Sequence, residues 1–370
     1  MSSSPNTLVF IDIILDRYHR SRDSHTLFLN ALFSDWGKVH SWNRVDEKRE
    51  DGVYEIHNEF KVIPLPYYSS LGKDILKVLR SMRSIRKRNS YEILYLCWPH
   101  PISLWLVLTR KKESRVFLVA RSNDGEVIRS KYSGIKKILG LLYLKLSDRL
   151  IPKDATIMAI GSELHSLYLR KRRSVYDLQD PLPAETKEDL PSSAQEMKTI
   201  LFVGRLEPQK GLPTLIRAFS KLPKDLQARL ILVGEGSMQK ELQEMVIQEN
   251  LQEKIHFTGY IPFGNELFDL YKKADALIIP SPTEGVPKVI QEAQLFDLPI
   301  IATKVGGIPN VIEHGSNGWL IPSGSETSLH QAMLEFLDGR ISFSAPTRKK
   351  GKMSDHSFWI QKHRSILMAH

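Results

Sequence analysis

Cysteine is almost absent. Cys97 is the only one in 370 residues, which excludes an internal disulfide and any metal site built from several thiolates. So little cysteine suits a reducing compartment, and a cytoplasmic location is the expectation. Long apolar runs are missing as well. The longest, Ile102 to Thr109 and Ile138 to Leu146, fall far short of the roughly 20 residues that a membrane-crossing helix needs. The opening residues carry no basic flank ahead of the run Leu8 to Leu15, and Asp12 interrupts that run. A first strand is therefore expected there rather than a secretion signal. No Gly-Lys-Ser/Thr follows a glycine loop, no Asp-x-Asp pair offers itself to a divalent metal, and no repeat or long low-complexity tract is present. A Walker-type nucleotide site is thus excluded, and no metal is expected.

What is present is ample core material, 42% hydrophobic residues against 25% charged, in a chain long enough for about two domains. The formal charge of +10 is unevenly divided, +13 over residues 1–175 and −3 over residues 176–370. The densest basic runs are Arg83, Arg86, Lys87, Arg88 and then Lys171, Arg172, Arg173. Anionic headgroups, an acidic acceptor or nucleic acid would all be drawn to such a half, although no nucleic-acid motif accompanies the charge.

Apolar strand-like runs alternate with helical stretches throughout, the pattern of an α/β protein with largely parallel sheets. The first half offers Leu8 to Leu15, Ile93 to Cys97, Val116 to Ala120 and Thr156 to Ile160. The second offers Thr199 to Val203, Arg229 to Val233, Ile255 to Phe257, Ala276 to Ile279 and Pro299 to Ala302. Between them, residues 174–197 hold Pro181, Pro183, Pro191 and several acids, a composition that interrupts both sheet and helix. The expected domains are residues 1–175 together with about 356–370, and residues 176–355.

The second half concentrates the chemistry. After Thr199 to Val203 comes Gly204-Arg205-Leu206-Glu207-Pro208-Gln209-Lys210-Gly211, a glycine turn between strand and helix where backbone amides approach an anion. Arg205 and Lys210 add full charges, the first able to grip two oxygens at once. Solvated cations on an ordinary turn explain the same residues. Further on, Pro280-Ser281-Pro282-Thr283-Glu284-Gly285-Val286-Pro287 leads into a helix carrying Glu292. Two carboxylates beside a helix start suit hydroxyl-rich ligands such as a sugar and a ribose. Taken singly, each glutamate is equally a surface charge favoured by the helix dipole.

The ordered motifs GRLEPQKG, VGEG, FTGY, PSPTEGVPKVIQEA and VGGIPNVIEHGSNGWLIPSG resemble those of the family-4 retaining glycosyltransferases. Glu284 and Glu292 match that family's Glu-x7-Glu signature. The resemblance covers residues 199–337 and implies the GT-B fold: two Rossmann-like domains facing across a cleft, with a C-terminal helix crossing back to the first. It further implies that Arg205 and Lys210 hold the diphosphate of a nucleotide-diphosphosugar donor, with Gly204 in the same turn. Glu284, Gly285 and Val286 would meet the donor sugar, Glu292 the ribose hydroxyls, and Tyr260 would begin the nucleobase pocket, where a packed aromatic is the plain alternative. Two positions depart from the family's habit, Asn310 and Ser325, both of which often carry an acid.

The first half departs more. The family often has a glycine-rich turn after its first strand, whereas this chain runs Ile14-Leu15-Asp16-Arg17-Tyr18-His19-Arg20. His100, after the strand ending at Cys97, stands where the family commonly sets a histidine facing the reacting sugar; a loop histidine without a role is the alternative. Leu71 to Arg88 reads as a basic amphipathic helix, packed on its own sheet or lying on an anionic membrane. The functional expectation is transfer of a sugar to a glycan or lipid-linked acceptor by a protein that sits in the cytoplasm or on the inner membrane face. The alternative is a catalytically silent GT-B protein that binds glycans or scaffolds a partner.

Overall fold

The computed structural model describes residues 5–23, 25–67, 71–88, 90–121, 123–160, 162–170, 174–178, 197–343 and 356–369. The chain divides into two compact units, Met1–Pro183 with Asp355–His370, and Ala184–Ser354.

The first unit runs β1 (Thr7–Phe10), β2 (Ile14–Asp16), β3 (Arg20–Ser21), α1 (His25–Phe33), β4 (Val39–Asp46), β5 (Tyr54–Glu55), β6 (Lys61–Pro66), α2 (Leu71–Arg88) and β7 (Ile93–Trp98). It continues with α3 (Pro101–Leu108), β8 (Arg115–Ala120), α4 (Asp124–Lys131), α5 (Gly134–Leu150), β9 (Thr156–Ile160), α6 (Ser162–Leu169) and β10 (Val175–Leu178). The sheet order is β10-β9-β8-β7-β1-β4-β2-β3-β5, with β6 also on β4. Its central pairs are parallel. Such strands are covered by helices on both faces, and β1 and β8 accordingly read as unbroken apolar runs. The run Leu8 to Leu15, expected as one strand, is two. Asp12 adopts φ 40° and turns the chain between β1 and β2.

The unit closes with α12 (His356–Ala369), whose Trp359 and Leu367 are buried with Phe28 and Leu32 of α1. The Arg364 guanidinium donates to the carbonyl oxygens of Leu32 and Ala31 at 2.8 and 2.9 Å, capping the end of α1. The tail expected to cross back does so. Helix α2 turns Val78 and Met82 into the core beneath β6, so those apolar residues serve packing. The side chains of Ser162 and Glu163, and of Arg86, Lys87 and Arg88, lie outside the described set, as do residues 171–173.

The second unit runs β11 (Lys198–Val203), α7 (Leu212–Ser220), β12 (Ala228–Val233), α8 (Gln239–Gln248), β13 (Ile255–Gly259), α9 (Asn265–Lys273), β14 (Ala276–Ile279), α10 (Lys288–Leu295), β15 (Ile300–Thr303), β16 (Trp319–Ile321) and α11 (Glu326–Leu337). All the pairs of its sheet are parallel, in the order β13-β12-β11-β14-β15-β16. Ser325, where the family often has an acid, caps α11 through its hydroxyl, which accepts from the Ser328 amide at 3.1 Å. No helix among the described residues is long and apolar enough to cross a membrane.

Both sheets reverse direction of growth once. From β11 the second sheet extends outward through β12 and β13, then restarts on the other side of β11 with β14. In the first, β1 is followed outward by β4, and β7 restarts on its other side. The loops leaving such a neighbouring pair diverge to opposite faces and expose backbone ends between them. That switch point is where open α/β sheets bind ligands.

Candidate functional site

The loops after β11 and β14 flank the switch point of the second sheet, and they are locked together. Gly211, at φ 68°, ends the 3-10 turn Pro208–Lys210 and caps α7 with its backbone against the Pro280 carbonyl, where a Cβ would overlap that oxygen. Beside this contact the Lys210 ammonium meets Glu284 Oε1 at 2.5 Å. The buried Ser281 hydroxyl donates to the same oxygen at 2.7 Å, while the Ser281 carbonyl accepts from Thr303 Oγ1 at 2.6 Å. Glu284 is thus fixed through one carboxylate oxygen. The other accepts no hydrogen bond among the described residues.

From the third side Gly306, at φ 50°, lays its backbone against the Glu284 carbonyl, and the Gly307 amide donates to Gly285 O at 3.1 Å. Gly285 itself is different. A Cβ there would meet nothing within 4 Å, and its φ lies outside the left-handed range, so the fold has no need of a glycine at this position. Val286 packs on Gly307 and Pro287 starts α10 without a side-chain cap. Among the described residues the amides of Gly285 and Val286 donate to no acceptor.

The turn after β11 behaves otherwise than its glycines imply. The amide of Gly204 donates to Val233 O at 3.0 Å, that of Leu206 to Glu235 O at 2.9 Å, and that of Lys210 to Glu207 O at 2.9 Å. These donors hold the turn in shape, so the amides of Gly204, Leu206 and Lys210 are spent within the fold. The turn's free positive groups are side chains. Arg205 is exposed and pairs with no carboxylate among the described residues.

Glu292 sits one turn into α10 and is buried at 7% exposure. Its Oε2 accepts from the Tyr271 hydroxyl of α9 at 2.6 Å. Burial raises the Glu292 carboxyl above its ordinary range, with the Tyr271 hydrogen bond and Lys288 acting in the opposite direction. Burial and the neighbouring Glu292 likewise push the Tyr271 phenol well up. Tyr260 is half-buried at the end of β13, the edge strand of the sheet, and its amide donates to Glu235 Oε1 at 3.4 Å.

In the first unit His100 follows β7 at the corresponding switch point. Its Nδ1 accepts from the Ile102 amide at 3.2 Å, which makes it the N-cap of α3, with Pro101 opening the helix. An Nδ1 that accepts carries no proton, so the neutral ring holds its hydrogen on Nε2. That atom stands 3.7 Å from Asp12 Oδ2, too far for a hydrogen bond. Asp12 is instead gripped by the Arg44 guanidinium at 3.0 and 3.1 Å. Burial pulls the His100 pKa below the usual histidine range, outweighing Asp12, which raises it; Arg44 lowers it further.

The missing glycine-rich turn has a substitute. Asp16 is buried and accepts from the amides of Tyr18, Arg20 and Gly52 at 2.8 to 3.1 Å, and from the Arg20 guanidinium at 3.0 and 3.1 Å. Burial alone would raise this carboxyl, yet the hydrogen bonds together hold it below its ordinary value. Sequence reasoning overlooked Asp12, Asp16, Tyr271 and Ser281. Only Ser281 lay within a motif, three residues before Glu284.

Residues 185–353 match the family described as Glycosyl transferases group 1. An uncharacterized glycosyltransferase of Methanocaldococcus jannaschii is 38% identical over 131 residues, 35% of this chain and 33% of that protein. The chain therefore spans about a third of that relative's length. N-acetyl-alpha-D-glucosaminyl L-malate synthase of Bacillus anthracis is 23% identical over 290 residues, 76% of this chain and 72% of the synthase. The crystal structure of Anabaena Alr3699/HepE in complex with UDP and glucose superposes with a TM-score of 0.65 at 18% identity, covering 98% of this chain and 95% of that one. At that identity the likeness is one of fold. Residues 185–353, a little under half of the chain, are thus similar to the group 1 glycosyltransferases, and the two α/β units have the GT-B fold.

Proposed function

We propose that the protein transfers a sugar from a nucleotide-diphosphosugar to a glycan or lipid-linked acceptor, with retention of anomeric configuration, in glycoconjugate or polysaccharide synthesis. One observation carries the reading: two charged loops locked side by side at the switch point of β11 and β14, where a carboxylate meets an ammonium and the ammonium's loop also carries the exposed Arg205. The HepE structure, of the same fold, holds UDP and glucose, which supports a nucleotide-linked donor.

In this reading Arg205 and Lys210 bind the diphosphate, joined by the free amides of Gly285 and Val286. They stabilise charge as it develops on the leaving phosphate. With those groups in place no divalent metal is required. The open oxygen of Glu284 accepts from a sugar hydroxyl, and Gly285 leaves room for the sugar to approach the backbone. Glu292 accepts from the ribose hydroxyls through its remaining oxygen, and Tyr260 borders the base. Gly204 shapes the turn rather than touching the donor. His100 offers a neutral Nε2–H to the transferring sugar.

The test is release of nucleoside diphosphate from a panel of nucleotide-sugars, with the product anomer read by NMR. Turnover lost in Lys210→Ala and Glu284→Ala supports the site. Tight donor binding with no release from any donor, with or without candidate acceptors, would favour the catalytically silent reading instead.

A further inference from the structure

Helix α5 is apolar on two faces, and the fold uses one of them. Its inner side packs on α3 and α4, with Gly140 close against Ile128 and the Ser147 hydroxyl turned back onto the Leu144 carbonyl. On the outer side Ile135, Ile138, Leu139, Leu142 and Leu146 are 55% to 74% exposed, and Leu150 is 37% exposed. These six follow the three- and four-residue spacing of one helix face, so they form a single stripe along about four turns. Scattered exposed apolar residues are ordinary, but a continuous stripe of this length on a soluble face marks a binding surface.

The charges beside the stripe select the occupant. At 3.6 residues per turn, Lys136 and Lys145 border it on opposite sides and Arg149 lies within its C-terminal end. None of the three forms an ion pair among the described residues. Asp148, the helix's only acid, falls outside the stripe. Apolar side chains rimmed by cations, in a half of the chain that carries +13, suit a bilayer interface with anionic headgroups. A second copy of the chain would set these lysines against themselves.

We propose that α5 lies in the surface of an anionic bilayer, its leucine and isoleucine stripe among the acyl chains and Lys136, Lys145 and Arg149 at the phosphates. The helix lies on the membrane and does not cross it. The sequence leaves α2 open to either packing on its sheet or lying on a membrane; α2 spends Val78 and Met82 on the core, whereas α5 leaves its stripe outside. This inference stands apart from the transfer reaction, because it is measured without a donor.

The experiment is sedimentation of the full chain with vesicles of equal parts phosphatidylcholine and phosphatidylglycerol, and with phosphatidylcholine alone. The wild type is expected to bind the mixed vesicles at least about tenfold more strongly. Leu139→Gln with Leu142→Gln lowers that binding by about tenfold, and Lys136→Glu with Lys145→Glu removes the preference for the anionic lipid. Both pairs are exposed, so thermal melts should remain those of the wild type. Ile247→Gln, equally exposed on α8 of the second unit, serves as the control and leaves binding unchanged. A dye on Leu142→Cys is expected to shift to the blue on mixed vesicles and to be shielded from an aqueous quencher. Vesicle binding that survives the leucine substitutions overturns the proposal. So does self-association, seen in the ultracentrifuge without vesicle binding, that those substitutions abolish.

Discussion

Replacing Gly285 and Gly306 by alanine, one at a time, separates a glycine kept for a ligand from one kept for the fold. At Gly285 the added methyl meets nothing within 4 Å and the backbone is outside the left-handed region. Alanine there restricts the unfolded chain at no native cost, so the second unit should gain about 0.4–1 kcal/mol. For a unit of this size that is a rise of about 1–4 °C in its melting temperature. At Gly306, φ is 50° and the methyl overlaps the Glu284 carbonyl oxygen. Left-handed backbone and a displaced loop together should cost at least about 2 kcal/mol. The two melts therefore move in opposite directions. Activity should fall in both, and in Gly285→Ala it falls while stability rises. A loss of tenfold or more in kcat/KM for the donor, about 1.4 kcal/mol, is expected from a methyl placed where the sugar approaches. A lower melting temperature for Gly285→Ala would show that the fold needs this glycine after all. A higher one with unchanged kinetics would remove the donor from this loop.

Glu292→Gln tests whether a buried charge is kept for function. Because the folded carboxyl has a raised pKa, its ionised form weakens the native state as pH rises through that value, so the variant should melt higher at neutral pH and lose this advantage on acidification. Its donor dissociation constant, by titration calorimetry, should rise by about tenfold. His100→Ala should cost about 1 kcal/mol through the lost cap of α3, whereas His100→Asn keeps a capping acceptor and should restore stability without restoring turnover. Since the folded pKa of His100 lies below its unfolded one, this stabilisation is complete above the ordinary value of about 6.5 and fades as pH falls through the folded value. Asp16→Ala leaves several donors of the β2–β3 segment unmatched and should cost about 3 kcal/mol in denaturant melts. The wild type should surrender the same stability only in acid, because the Asp16 pKa is depressed in the fold.

The α/β class and β11 to β15 of the second half were legible, though not β16, because parallel strands, buried on both faces, read as apolar runs; β14 and β15 are apolar and buried at nearly every position. In the first half β4 escaped notice. Its Ser41 and Asn43 are buried and satisfy each other at 2.5 Å, so the strand looks polar. Strand β6 contains Pro64 and Pro66, tolerated because it pairs only with β4. Within the candidate site the local spacing of Glu284 and Glu292 could be read directly. The pairing of Lys210 with Glu284 spans 74 residues and arises only from the adjacency of β11 and β14. Tyr271 contributes one hydroxyl from an otherwise apolar helix face, and a local pattern carries no sign of such a partner.

The same topological cause sets a charged pair at each switch point, yet the pairs differ in what they leave available. After β11 and β14, Lys210 and Glu284 touch at 2.5 Å, and the exposed Arg205 of the same loop as Lys210 has no ion pair among the described residues. Beside β1, Arg44 of β4 takes the Asp12 carboxylate at 3.0 Å, and His100 Nε2 stands farther off, 3.7 Å from the same carboxylate. Burial disfavours the charged imidazole, Arg44 acts in the same direction, and Asp12 opposes both. Its neutral form, with Nδ1 tied to the cap of α3, carries an Nε2–H that can donate. Such a group can donate a hydrogen bond to a sugar oxygen but holds no charge against a diphosphate. On the proposed reading, handling of the leaving group then falls to Arg205 and Lys210 with the Gly285 and Val286 amides, and not to His100. It follows that inorganic pyrophosphate should compete with the donor equally well in the wild type and in His100→Asn, and poorly in Arg205→Ala. Equal loss of competition in both variants would place the histidine at the phosphates and overturn this division of roles.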